Sequence, residues 1–416
     1  MSHLLESLED RKLFATYGTD GSVALTFDTA DARRDYAKVG QLLLDSAGRS
    51  YVVATTNRTV QVKRLTAAGA LDTAWGEGGT VTLKKTNEAG IGVKAVLDPS
   101  GRLTVLNKNQ LVRYVADGSV DTAFGTNGLV SLTDFAAVTD VAIDTRNRLY
   151  VTGYYDPASK TISGQNRVQR LLSRGRIDRM FASRGTYDLP AAKTPRGYAM
   201  TSSGGHQLRA LADGSVVLAG TIAFAKGGAT TPATGGVQTA RFTAGGALDA
   251  GYGSGGTFTY VRPIDSSLAV RLNNIRGNGV VSLFVRDGAN GPNLVDTTNA
   301  EIKAEGTLNL AKRVRYDSTA TGHNKGVSAR AFIARPGGGE FVLQTYGVSA
   351  VSSGGGFDAS YNNGGLLGLA NRFSGPIVFG GSLGVAVRPD GSFLAAVTGP
   401  GRTDVEVKLF NADGTD

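Results

Sequence analysis

The chain contains no cysteine among its 416 residues, so disulfides, thiolate catalysis and cysteine-ligated zinc are excluded at the outset. Histidine is almost as scarce: His3, His206 and His323 stand far apart, with no HExxH or His-x-His pairing, so no histidine-based metal site is expected. His206 and His323 read as polar loop residues. No GxSxG lies between a strand and a helix. Glycine-rich runs such as residues 353–356 lack the GK[ST] and following helix of a phosphate loop, and read as turns. Hydrophobic runs are short, which excludes a transmembrane helix. Residues 1–9 are polar and have no apolar signal-peptide core. Residues 1–12 therefore read as an N-terminal extension or a remnant in place of a removed leader, and residues 13–416 as a single domain.

Glycine, by contrast, is abundant at 58 residues, without a collagen period. Hydrophobic residues make up 41% of the chain, enough for a core. The net charge is +9. That balance serves solubility, or attraction to an acidic partner such as an anionic glycan, an anionic membrane surface or nucleic acid.

One short motif returns along the chain. Residues 121–128 read DTAFGTNG, 72–79 DTAWGEGG, 249–256 DAGYGSGG and 358–365 DASYNNGG, with a worn copy, DRMFASRG, at 178–185. Asn309 marks a degenerate copy, and Phe14 with Tyr17 aligns as another. The register positions are then 14, 72, 121, 178, 249, 309 and 358. Each interval also carries an apolar strand, a turn rich in Asp, Asn or Gly, and a second apolar strand, as in residues 98–107, DPSGRLTVLN. Such pairs signal hairpins, because glycine accepts positive φ without steric cost. A third strand precedes the motif and a fourth follows it. Nothing reads as a long amphipathic helix.

About 50 residues of four antiparallel strands, repeated seven times, predict an all-β, seven-bladed β-propeller. The chain stops partway through a repeat, and its start resumes that repeat. An N-terminal strand is therefore expected to complete the last blade and close the ring.

The segments RLTAAGALDTAWGEGGTV (64–81) and YVADGSVDTAFGTNGLV (114–130) resemble the bacterial delta-60 repeat family of β-propellers. The resemblance runs through most of the chain and weakens between Asn274 and Tyr316. It implies a secreted or surface-associated bacterial protein and no common enzymatic activity.

An arginine sits eight residues before the motif aspartate in Arg64/Asp72, Arg113/Asp121, Arg170/Asp178 and Arg241/Asp249. The spacing predicts a charge-assisted pair across the bend. Calcium ligation by the aspartate is the alternative; the adjacent guanidinium argues against it, and no metal or cofactor is expected.

Strand direction sorts the loops. With strands a, b, c and d in each blade, the a–b and c–d turns share one face and are regular. The b–c and d–a connections share the other. On that face they are short at 55–59 and 107–109 but swell at 154–166, 222–236 and 286–300, beside a long d–a segment at 189–205. These loops offer Tyr154, Tyr155, Lys160, Lys193, Arg196, Asn290, Asn293 and Asp296 as candidate ligand-binding residues. A basic stretch supplies Arg167, Arg174, Arg176, Arg179 and Arg184, either as a solvated rim or as an anion-binding patch. It lacks the interleaved aromatics of a single-strand nucleic-acid platform. The reading is a monomeric, non-catalytic binding or adhesion scaffold for a protein or glycan. A hydrolase or lyase with a site in the central funnel, and a structural module of a larger surface protein, are the alternatives.

Overall fold

The computed structural model describes residues 17–29, 37–85, 93–155, 165–190, 198–226, 234–261, 269–286, 294–317, 331–336, 338–343, 347–352, 358, 360–363, 366–369, 373, 384–398 and 403–415. Its elements are strands, plus one short 3-10 turn at Tyr361–Asn363. Among the described residues no helix is long and apolar enough to cross a membrane.

The chain opens with β1 (Ser22–Thr26). Blade 1 follows as β2 (Lys38–Leu44), β3 (Ser50–Thr55), β4 (Thr59–Leu65) and β5 (Thr80–Lys84). Blade 2 is β6 (Lys94–Leu97), β7 (Leu103–Asn107), β8 (Gln110–Tyr114) and β9 (Leu129–Ser131). Blade 3 is β10 (Ala137–Ile143), β11 (Leu149–Tyr155), β12 (Gln165–Leu171) and β13 (Thr186–Asp188). Blade 4 is β14 (Tyr198–Ala210), β15 (Val216–Lys226), β16 (Thr234–Phe242) and β17 (Thr257–Val261). Blade 5 is β18 (Ala269–Ile275), β19 (Val281–Arg286), β20 (Leu294–Ile302) and β21 (Leu308–Asp317). Blade 6 is β22 (Ala331–Ala334), β23 (Glu340–Leu343), β24 (Gly347–Val351) and β25 (Leu366–Gly368). Finally β26 (Gly384–Val387), β27 (Phe393–Thr398) and β28 (Asp404–Phe410) pair with β1 in a composite sheet, β28 lying antiparallel to β1 from Ser22↔Lys408 to Thr26↔Asp404.

These are β-propeller blades, and the expectation of seven blades is corrected to six blades of four consecutive antiparallel strands. Counted as sheets the total is seven, because the two chain ends pool their strands in the composite one. The repeat fails at a definite place. Asn309, taken as a seventh register mark, is a strand residue in β21 opposite Glu301. Only a tight turn at 303–307 joins β20 to β21, and blade 5 has no aromatic–glycine connection. Among the described residues the aromatic copies number six: Tyr17, Trp75, Phe124, Phe181, Tyr252 and Tyr361, each at most 1% exposed.

The chain divides into two compact units, residues 1–107, 112–121 and 333–416, and residues 108–111 and 122–332. Within each, apolar cores lie between neighbouring sheets. In the first, Val52 and Ala54 of blade 1 pack with Leu394, Val405 and Val407 of the composite sheet, and Tyr51, Val53, Val62 and Trp75 pack with Val93, Leu103 and Val105 of blade 2. In the second, Tyr150, Val168 and Phe181 of blade 3 meet Val216, Leu218 and Phe242 of blade 4, whose other face meets Val281 and Leu283 of blade 5. Middle strands are covered on both faces, so β3 and β7 read as near-continuous β-branched and apolar runs. The fourth strand of blade 1 alternates, TVTLK in β5, because one face meets solvent.

The repeated motif is the connector between sheets. The residue after each aromatic donates its N–H to the turn of the next sheet: Gly18 to Ala68, Gly76 to Asp117, Gly125 to Arg174, Ala182 to Gly246, Gly253 to Glu305 and Asn362 to Asp413, at 2.7–3.1 Å. The receiving turn holds a glycine against the aromatic. At Gly118 (φ +88°) a Cβ would stand 2.4 Å from Gly76 N and 3.1 Å from the Trp75 ring. That position requires glycine twice, for its backbone and for the approach.

Arginine fixes the wedge. Arg64 Nε donates to Asp72 at 2.8 Å, its Nη1 donates to the Ala116 carbonyl of the next blade, and its guanidinium lies 5.3 Å from the Trp75 ring centroid. Arg113 with Asp121, Arg170 with Asp178 and Arg241 with Asp249 repeat the ion pair, so these carboxylates face a cation rather than a metal site. In blade 6 the arginine comes from the a–b turn instead: Arg335 reaches Asp358 at 2.8 Å.

Candidate functional site

Blades 4 and 5 depart from the common plan at their b–c ends. The segments expected to be loops at 189–205, 222–236 and 286–300 are strand over much of their length. β14 starts at Tyr198 and pairs with β15 as far as Tyr198↔Lys226, while β15 and β16 pair out to Phe224↔Thr234. β14 and β15 run 13 and 11 residues, against 5–7 in the corresponding strands of blades 1 and 3 counted with β7. In blade 5, β20 and β21 pair from Leu294↔Asp317 to Ile302↔Leu308. The sheet extension of blade 4 has a small core of its own, Ile222 and Phe224 packed with Tyr198 and Val261. Backbone pairing plus a local apolar cluster makes this a stiff ledge rather than a loose loop.

Blade 3 carries the polar part of this end. Tyr155, the last residue of β11, lies over Arg167, whose guanidinium is 3.3 Å from the ring centroid. Arg167 donates Nε and Nη2 to the two oxygens of Asp188 at 2.5 and 2.7 Å. The pair raises the arginine's affinity for its proton against the opposing effect of burial. This corrects the inclusion of Arg167 in the basic patch: it belongs to the b–c end of the blade, and its charge is already matched. Arg174, Arg176, Arg179 and Arg184 lie at the opposite end, exposed.

Tyr154 is no free contact residue either. It is 8% exposed and packs edge-on against His206, with centroids 5.0 Å apart. His206, expected in a loop, lies within β14 at 4% exposure. Its ring fills the space where a side chain on Gly220 would stand, 2.3 Å from an ideal Cβ. Burial pushes its pKa down to about 3, so it is a neutral imidazole. Its Nε2 and the Oδ1 of Asn166 are both buried without a hydrogen-bond partner among the described residues, and Asn166 Nδ2 flanks the same glycine. A bound water between such atoms is the ordinary solution. Asp296 lies in β20 opposite Arg315. Lys160, Lys193, Arg196, Asn290 and Asn293 fall outside the described residues.

In the first unit a polar cleft of about 540 Å³ lies between the end of β1 and blade 1. Thr26, Asp28, Gln61, Lys63, Glu77 and Thr80 line it, with Phe27 as its aromatic wall. Lys63 donates to Thr80 Oγ1 at 2.8 Å and lies 5.5 Å from the Phe27 ring; burial lowers its pKa. Among the described residues no three His, Asp or Glu side chains converge as a metal site needs.

Sequence reading missed a second ion-pair series. In the a–b turns of DSAGR, DPSGR and DTRNR, the aspartate caps two backbone N–H groups and grips the arginine four residues on, as Asp144 does with Arg148 at 2.7 Å. The Asp-x-x-x-Arg spacing was its signal.

No family model matches the chain, and no curated protein matches it. Solved structures do. An ulvan lyase, a polysaccharide lyase bound to a saccharide, aligns with a TM-score of 0.51 at 9% identity over 94% of this chain and 96% of its own. The Neurospora crassa Pan2 WD40 domain aligns with a TM-score of 0.47 at 8% identity, covering 96% and 100%. Prolyl oligopeptidase B from Galerina marginata aligns with a TM-score of 0.46 at 12% identity. This chain covers 50% of that peptidase's length. At such identities the likeness speaks to the fold alone.

Proposed function

We propose that the protein is a non-catalytic binding propeller of a bacterial secreted or surface protein, which contacts a protein or glycan at the b–c end of blades 3 to 5. The observation that carries this reading is the sheet extension of blade 4, where paired strands with their own apolar cluster stand beyond the blade body. A repeat that only had to pack would keep the short connections of residues 55–59 and 107–109. The repeat resemblance to the delta-60 family supports the bacterial, surface-exposed setting. The ulvan lyase likeness supports the alternative of a funnel enzyme only at the level of fold.

The test replaces residues 222–236 with a five-residue connection copied from residues 55–59 and compares binding to bacterial surface glycans and to host-cell surfaces. The shortened protein is expected to melt cooperatively and to lose binding. Undiminished binding by the folded variant overturns the assignment.

A further inference from the structure

The four c–d connections of blades 1 to 4 share one backbone and differ sharply in one surface. In each, the closing glycine N–H donates to the aromatic carbonyl, as Gly185 does to Phe181, and in blades 1, 3 and 4 the aromatic N–H donates to the motif Asp carbonyl, as Phe181 does to Asp178. Sister copies therefore serve as internal controls for what the fold needs. Where blade 3 has Arg174, Arg176, Arg179 and Arg184, blade 1 has Ala68, Ala70, Thr73 and Gly78, and blade 2 has Asp117, Ser119, Thr122 and Asn127. Where it has Leu172 and Met180, blade 1 has Thr66 and Ala74. The architecture asks for none of these six side chains.

Arg184 is also held against its backbone preference. It sits at φ +55°, a position that Gly78, Asn127 and Gly255 fill in the sister copies at +57°, +52° and +60°. An arginine in the left-handed region carries a conformational cost, so its presence calls for a compensating role. None of the four arginines makes an ion pair among the described residues. Between them stand exposed apolar groups: Met180 at 84%, Ile177 at 44% and Leu172 at 41% exposure. Ile177 has an exposed counterpart, Val120 at 46%, so it belongs partly to the repeat. Leu172 has a half-buried apolar counterpart in Val115 of blade 2, and Met180, opposite Ala74 and Ala123, has none of comparable size.

We infer that this connection, at the end of blade 3 opposite to Tyr155, docks the protein on an anionic lipid surface. The arginines meet headgroup phosphates, and Met180 and Leu172 enter the headgroup–acyl boundary. A soluble polyanion would use the four cations and leave the two apolar tips in water. An anionic lipid bilayer satisfies both, and the net charge of +9 orients approach to it. The site is independent of the partner proposed for the other end of the blades.

The test is co-sedimentation of the full chain with vesicles of phosphatidylcholine alone or mixed with phosphatidylglycerol. Two variants borrow residues that sister copies already accommodate, so the backbone is retained: Arg174→Ala/Arg176→Ser/Arg179→Thr/Arg184→Asn, and Leu172→Thr/Met180→Ala. The wild type is expected to bind only the phosphatidylglycerol vesicles. The first variant should lose about fivefold in partitioning per arginine replaced, and the second should also bind more weakly. Equal binding to both vesicle types, no binding by the wild type, or wild-type binding by the arginine variant overturns the inference. Weak binding by the arginine variant with full binding by the Leu172/Met180 variant also overturns it, in favour of a soluble polyanion.

Discussion

At the residue scale, the arginine–aspartate pairs are not equivalent, because burial sets what each is worth. In the Arg170–Asp178 pair the side chains are 2% and 8% exposed, and the Arg170 guanidinium packs 5.0 Å from the Phe181 ring. Asp178→Asn leaves that cation buried and unmatched, a loss of roughly 3–5 kcal/mol in denaturant unfolding. Asp249→Asn is expected to cost no more than about 1 kcal/mol, since Arg241 is 19% exposed and keeps Asp213 at 3.0 Å. Similar losses in the two variants would refute burial as the deciding factor. His206 gives a pH dependence with a definite sign. Its folded pKa is about 3 against an ordinary value of 6.5, so between those values the unfolded chain binds the extra proton. Its contribution is fully present above pH 6.5 and is lost as pH falls, by about 1.4 kcal/mol per unit at most. His206→Gln should flatten the slope of Tm against pH between 6.5 and 4. An unchanged slope would mean that the imidazole takes up its proton as readily in the folded chain as in the unfolded one.

At the element scale, the aromatic–glycine connector acts as a wedge pressed into a turn, and both halves are needed. Trp75→Ala removes a fully buried ring from the core between blades 1 and 2 and should cost about 3–5 kcal/mol. Gly118→Ala should destabilise clearly, because its Cβ meets Gly76 N at 2.4 Å. Gly78→Ala, with a similar positive φ but nothing within 4 Å, isolates the backbone cost alone, about 1 kcal/mol. A Gly118 variant no worse than the Gly78 variant would show that the turn yields. β1 is the other decisive element. Deleting residues 1–27 strips the pairing edge of β28 and removes Tyr17, Leu25 and Phe27 from the core, so Tm should fall well below that of the full chain. Equal melting temperatures would contradict a structural role for the composite sheet.

At the scale of the whole molecule, stability is expected to be uneven. Blades 1 to 4 each carry an aromatic wedge, and blade 5 carries none. Amide hydrogen exchange should therefore protect β3, β7 and β15 longest and release β18 to β21 earlier. Uniform protection across the blades would show that sheet pairing, rather than the wedges, governs opening. The same unevenness separates packing from binding: the constant turns carry the architecture, and the departures in blades 3 to 5 are free to carry recognition.

Much of this was legible from residues 72–79 and their copies. Period, turn chemistry and strand pattern depend on neighbours close in the chain, so they determined the blade, the Arg–Asp pairing at eight-residue spacing and the pairing of the two ends. Tertiary structure decided what depends on distant neighbours. It showed that position 309 continues a strand, that the long segments of blade 4 pair as sheet around Phe224, and that His206 and Tyr154 are buried against each other. It also divided the basic stretch, placing Arg167 against Asp188 and leaving Arg174, Arg176, Arg179 and Arg184 exposed at the other end of the blade. A run of arginines in sequence says nothing about partners 21 residues away across a sheet. Charge is local to the residue, but its neutralisation belongs to the fold.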